Sequence, residues 1–131
     1  MRETGNVIVD LSFKFALDII SFVEILEQEK KYVIANQLLK SGTSIGANVR
    51  EAQNGESKSD FVHKLKIAAK EADETEYWLL LCKSSENYPF NPQLSNGKYL
   101  LQHNFRFCHA DDRKHLLSVP LLRNKILRAS G

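Results

Sequence analysis

A chain of 131 residues has room for one domain and none for a second, and it can bury a core without help from disulfides or a metal. Its 43% hydrophobic and 26% charged residues, with only 6 Gly and 3 Pro, exclude a disordered segment as the default reading. The net charge of +2 hides an asymmetry: residues 1–92 hold 11 Lys/Arg against 14 Asp/Glu, residues 93–131 hold 7 against 2, and the positive potential is concentrated in the last segment.

The opening Met1-Arg2-Glu3-Thr4-Gly5-Asn6 runs straight into a charged amphipathic pattern without the apolar stretch of a secretory signal, so the expected location is the cytoplasm. The longest mostly apolar run, Leu11 to Leu26, carries Lys14, Asp18 and Glu24 and does not suit a bilayer; no membrane partner is expected. The same run predicts a first helix from about Asp10, as N-cap, to Gln28. Leu11, Phe15, Ile19, Phe22, Val23 and Leu26 recur at three- and four-residue steps, and Phe13, Leu17 and Ile20 widen the stripe.

A second helix is predicted from Lys31 to Gln53, with Ile34, Leu38, Ile45, Val49 and Ala52 on one side and Asn54-Gly55 as its stop. Its middle, Ser41 to Ala47, is poor in helix formers. Gly42 and Gly46 are four apart on one face, and each costs about 1 kcal/mol relative to Ala. Small residues there let a neighbour approach closely, which makes them candidates for helix packing within the bundle, for an oligomer interface, or for a ligand-facing groove. They do not form a phosphate loop, since no lysine follows Gly46 and no strand precedes Gly42.

The third helix opens at a Ser57 or Ser59 cap with Asp60 in its first turn. Its seam reads Phe61, Leu65, Ala68, Ala72, Thr75, Leu79, Cys82, in heptad steps. From Tyr77 to Cys82 it is apolar all round, so more than one neighbour should cover this end, and Tyr77 and Trp78 are candidate interface residues. Tyr88-Pro89-Phe90-Asn91-Pro92 predicts an extended turn. Leu101, Phe105 and Cys108 continue a seam that Leu116, Val119, Leu122 and Ile126 resume, with His109 to His115 interrupting it by charge and Pro120 adding a kink or restart. The predicted fold is all-α: an antiparallel up-down-up-down four-helix bundle whose fourth helix is kinked or broken near Pro120, with long helices of roughly 35 Å. Cys82 and Cys108, isolated and on seams, read as reduced buried thiols.

Three stretches carry a family resemblance. The first is Leu39-Lys40-Ser41-Gly42-Thr43-Ser44-Ile45-Gly46-Ala47-Asn48-Val49-Arg50-Glu51-Ala52. The second is Ser59-Asp60-Phe61, followed by Lys70-Glu71-Ala72-Asp73-Glu74-Thr75-Glu76-Tyr77-Trp78-Leu79. The third is the opening Val9-Asp10-Leu11-Ser12-Phe13-Lys14-Phe15-Ala16. Together they resemble the four-helix-bundle proteins encoded in bacterial 23S rRNA intervening sequences, over about residues 9–92. The resemblance implies a bacterial cytosolic protein, a homopentameric ring and no known enzymatic activity. The family is also labelled ribosomal-protein-like. A related group, the accessory proteins of diversity-generating retroelements, uses a similar pentamer with a basic surface to engage nucleic acid and a reverse transcriptase. Residues 98–131 depart from the family's uninterrupted fourth helix.

Helical bundles can hold two metals with inward Glu residues and Glu-x-x-His pairs. Asp60-x-x-His63 and Asp112-x-x-His115, with Glu71 and Glu74, imitate that spacing, but His63 lies two positions past core residue Phe61 and should point away from the seam. No metal or other cofactor is expected. The carboxylates Glu71, Asp73, Glu74 and Glu76 spread around the helix axis instead of sharing a pocket, so no catalytic residue is assigned. Lys70 and Glu74 are spaced for a surface pair, and Glu71, if partly buried, needs a partner such as Arg50. The candidate nucleic-acid-binding residues are Arg106, Arg113, Lys114, Arg123, Lys125 and Arg128, with Lys40 and Arg50 on the second helix. Their alternatives are a solvated helix face or pairing with the acidic first three helices. The expected function is a non-enzymatic, self-assembling bundle that binds RNA or DNA. Against it stand a scaffold for a protein partner with no nucleic-acid contact and, third, a ferritin-like metal enzyme.

Overall fold

The computed structural model of the protein describes residues 3–109, except the side chains at positions 99, 100, 103, 104 and 106–109. Four helices follow in chain order: α1 (Val7–Gln28), α2 (Tyr32–Gln53), α3 (Lys58–Ser84) and α4 (Pro92–His109), with no strand among the described residues. α1 packs on α2 and α4, and α3 packs on the same two, so α1 and α3 are diagonal in an up-down-up-down bundle. The expected kink near Pro120 lies outside the described residues.

α1 starts a turn earlier than Asp10. Asn6 is the N-cap: its side-chain oxygen accepts the Val9 N–H at 3.4 Å, and Ile8 and Val9 extend the buried stripe backwards. Asp10 lies in the first helical turn, where its charge suits the helix dipole, and its carboxylate receives the Thr4 N–H at 3.0 and 3.2 Å and the Thr4 hydroxyl at 2.8 Å. At the other end Lys30 takes a left-handed φ of 61°. The Lys31 N–H donates to the Leu26 carbonyl at 2.8 Å and the Lys30 N–H to the Glu27 carbonyl at 2.9 Å, a Schellman closure made without glycine.

α2 runs unbroken through its weak middle. Thr43 and Ser44 donate their hydroxyls to the Leu39 and Lys40 carbonyls, both at 2.6 Å, so polar side chains that could compete with the helix are absorbed by it. Ser57, not Ser59, caps α3, accepting the Asp60 N–H at 3.1 Å. Every residue of the seam predicted for α3 is buried. The Thr75 hydroxyl lies 2.9 Å from the Ser41 hydroxyl and 2.8 Å from the Glu71 carbonyl, tying α3 to α2 inside the core. Asn91 begins α4 by accepting the Gln93 N–H at 3.0 Å, with Pro92 in the first helical position, where its missing N–H costs nothing.

Leu17 and Ile20, read above as widening the buried stripe of α1, are exposed instead. The apolar end of α3 is also covered on fewer sides than its sequence asks: Tyr77 and Leu80 are exposed, while Trp78 is half-buried against the core. A helix with two neighbours buries one side of its circumference, and these residues lie beyond that side.

Candidate nucleic-acid interface

Gly42 and Gly46 set how α1 and α2 meet. A Cβ on Gly42 would stand 2.8 and 2.9 Å from Ile19 Cγ1 and Cγ2, and one on Gly46 would stand 3.4 Å from the Ser12 carbonyl oxygen. Of the three uses open to this pair, packing within one bundle is observed, with Gly42 buried and Gly46 half-buried at the α1 contact. The close approach brings the far end of α2 against the start of α1, where Asn6 Nδ2 donates to Gln53 Oε1 at 3.1 Å.

Arg50 stands at this end, exposed, its guanidinium 5.7 Å from the centre of the Phe13 ring. An open groove of about 400 Å³ lies on one side of it, lined by Thr4, Asn6, Val9, Arg50, Gln53 and Asn54. A second, of about 370 Å³, is lined by Glu3, Asp10, Leu11, Phe13, Lys14 and Leu17. The hydrogen bonds from Thr4 hold the Asp10 carboxyl below its ordinary range, with a smaller contribution from the charge of Arg50. Arg50 therefore belongs to the α1 side and is not the partner of Glu71. Partial burial pushes the Glu71 carboxyl up, the neighbouring Glu74 charge adds to this, and the cation that opposes them is Lys40. Lys40 and Arg50, ten residues apart and so roughly 15 Å along α2, turn towards different neighbours and do not form one patch.

Lys98 was not singled out by sequence. It is buried on the inner face of α4, where its ammonium pairs with Glu76 at 3.0 Å. Gln102 Nε2 donates to the same carboxylate at 2.6 Å, and these two donors hold the Glu76 carboxyl below the ordinary range. The signal was present: Leu94, Lys98, Leu101 and Phe105 follow the four-, three- and four-residue steps of a core stripe, which puts one lysine among apolar residues. For this residue, pairing of the basic segment with the acidic helices is realised. Glu74 receives the Trp78 indole N–H at 3.4 Å.

Arg106 lies in α4, but its side chain is outside the described set, and Arg113, Lys114, Arg123, Lys125 and Arg128 are outside the described residues altogether. Cys82 is buried as a free thiol, its pKa raised by burial, so it behaves as a small apolar core residue; the Cys108 side chain is not described. His63 is exposed, as its position past Phe61 requires, and among the described residues no three His, Cys, Asp or Glu side chains gather as metal donors; Asp112 and His115 lie beyond them. No helix among the described residues is long and apolar enough to cross a membrane.

Comparison with known proteins agrees with this architecture. A Bacteroides thetaiotaomicron protein of unknown function from the S23 ribosomal protein family, solved by crystallography at 1.70 Å, superposes with a TM-score of 0.70 at 39% identity, over 79% of this chain and 99% of that one. No curated protein matches significantly. The family model described as 23S rRNA-intervening sequence protein matches residues 5–96, which include the paired glycines, the whole α3 seam and Arg50 but stop before Arg106 and the basic residues after it. On that match the chain belongs to the 23S rRNA-intervening sequence protein family.

Proposed function

We propose that this chain is a non-enzymatic bacterial, cytoplasmic protein that assembles into a homo-oligomer, a pentameric ring by family resemblance, and binds RNA or DNA through a basic surface. The observation that carries the reading is the charge distribution. Lys98 is spent inside the bundle on Glu76. The other six Lys/Arg of residues 93–131 face only two acidic residues in the same segment. Such a cationic segment attached to an acidic bundle is suited to a polyanion, and a ring would present several copies of it to one phosphate backbone. Arg50, exposed and braced on Phe13, adds a cation with fixed placement. The family is named for intervening sequences of 23S rRNA, and structured RNA is therefore the first ligand to try.

Filter-binding titrations with structured RNA and with duplex DNA, repeated across salt concentrations, test this. Binding that falls steeply with salt supports it, since each neutralised phosphate releases counterions. The triple reversal Arg123→Glu, Arg128→Glu and Lys125→Glu should weaken binding strongly while light scattering reports an unchanged mass. Equal binding by the reversed protein would remove these residues from the site. The second reading, a scaffold for a protein partner without nucleic-acid contact, draws on the exposed apolar residues of α1 and α3; its binding would respond little to salt.

A further inference from the structure

Among the described residues several large apolar side chains stay exposed, Val7, Ile25, Tyr32 and Val33 among them, and two pairs of them form matching strips on the two helices that are diagonal in the bundle. On α1, Leu17 and Ile20 are 49% and 39% exposed; on α3, Tyr77 and Leu80 are 56% and 49% exposed. The strips share one geometry, two large apolar residues three positions apart, and α1 and α3 run in the same direction through the bundle. Resting on the self-assembly proposed above, we propose that the α1 strip of one copy docks in parallel on the α3 strip of the next, with Leu17 against Tyr77 and Ile20 against Leu80.

Charge complementarity selects this occupant and this register. Placing position 17 beside 77 brings Lys14 of one copy beside Glu74 of the next, and places Glu24 beside the turn that carries Lys83. All four charged residues are exposed, and they flank the apolar pairs on both sides. Opposite charges therefore meet at both ends of a contact roughly 15 Å long. Because the helices run parallel, a rotation about an axis along the bundle generates the contact without inverting a copy. A contact between two α1 strips would bury one strip per molecule and leave the other in water. The α1-to-α3 contact buries both, and because its two sides differ it propagates until the rotation closes.

Mixing separates these arrangements. Leu17→Lys with Ile20→Lys spoils the α1 strip, and Tyr77→Lys with Leu80→Lys spoils the α3 strip; both sets lie on exposed helix positions, and circular dichroism reports whether each protein remains helical. By multi-angle light scattering the parent should exceed one chain and each variant alone should fall to the 15.0 kDa monomer. An equimolar mixture should yield a species of twice that mass, since one intact strip of each kind remains to pair. The milder variants Leu17→Ser and Tyr77→Ser should give the same pattern if the charged ones lose helix. A parent that is monomeric overturns the assembly reading and this contact with it. A parent oligomer that survives either variant, or variants that stay monomeric when mixed, overturns the contact alone. Carbodiimide coupling of mixed isotope-labelled and unlabelled parent should join Lys14 to Glu74 between copies, and a coupling map lacking that pair overturns the register.

Discussion

Replacing Gly42 and Gly46 by alanine, one at a time, separates two glycines that look alike in sequence. Ile19, against which a Gly42 Cβ would press at 2.8 Å, is fully buried and branched at Cβ, so it has no second rotamer to retreat into. Overpacking of this kind costs about 1–3 kcal/mol, while Ala returns about 1 kcal/mol of helix propensity, leaving Gly42→Ala with a net loss of about 1 kcal/mol. At Gly46 the nearest atom, the Ser12 carbonyl oxygen, lies at 3.4 Å, an ordinary contact, so Gly46→Ala keeps most of the propensity gain of about 1 kcal/mol. The two variants should then differ by about 2 kcal/mol, or about 1 M in urea midpoint for a slope of about 2 kcal/mol/M, at one protein concentration. Ile19→Ala removes both clashing carbons and by itself opens a cavity costing about 2–5 kcal/mol. Combined with Gly42→Ala it should cost less than the sum, with a coupling of about 0.5–3 kcal/mol. A Gly42→Ala midpoint at or above that of Gly46→Ala, or strict additivity with Ile19→Ala, would refute the close-approach argument.

Lys30→Gly should raise stability by about 1 kcal/mol, because glycine enters the left-handed region without the Cβ penalty; an unchanged urea midpoint would mean that the lysine is held there by contacts of its own. Thr75→Val leaves the Ser41 hydroxyl without its cross-helix partner and should cost about 1–3 kcal/mol, whereas adding Ser41→Ala should recover most of the loss by removing both polar groups. The two perturbed carboxylates of α3 should respond to acid in opposite senses. Glu76, with its folded pKa lowered, contributes stability that is present above its unfolded pKa and lost as pH falls through the folded value, so Glu76→Gln should flatten the acid limb of a stability profile. Glu71, with its folded pKa raised, penalises the ionised fold, so Glu71→Gln should stabilise at neutral pH and lose that advantage below the folded pKa; thermal melts across pH would show both signs.

The number and type of helices, the α3 seam and the family were legible in the residues because each rests on local order: heptad spacing from Phe61 to Cys82, Pro and Gly where helices stop, and a long run of matching motif. Helix ends were legible to within a turn. α1 began early because Asn6, not the expected Asp10, has the side-chain oxygen in reach of a free N–H, a distance that only the folded backbone sets. What periodicity left undecided was which apolar residues are covered. Leu17, Ile20, Tyr77 and Leu80 satisfy the helical pattern as well as their buried neighbours do, and only the positions of α2 and α4 leave them outside.

The charges divide in the same way. Sequence alone established that positive charge accumulates after residue 92, because a count needs no coordinates. It did not establish where any cation acts. Lys98 was one basic residue among several until packing set it beside Glu76, and Arg50 was a candidate partner for Glu71 until the crossing of α1 over α2 turned it to Phe13 and Asp10. Ion pairs and small-residue contacts depend on distances of a few ångströms between segments far apart in the chain. A one-dimensional pattern holds the period of each helix but not the rotation and offset of one helix against the next, and those quantities are settled when side chains such as Ile19 find the space over a glycine such as Gly42.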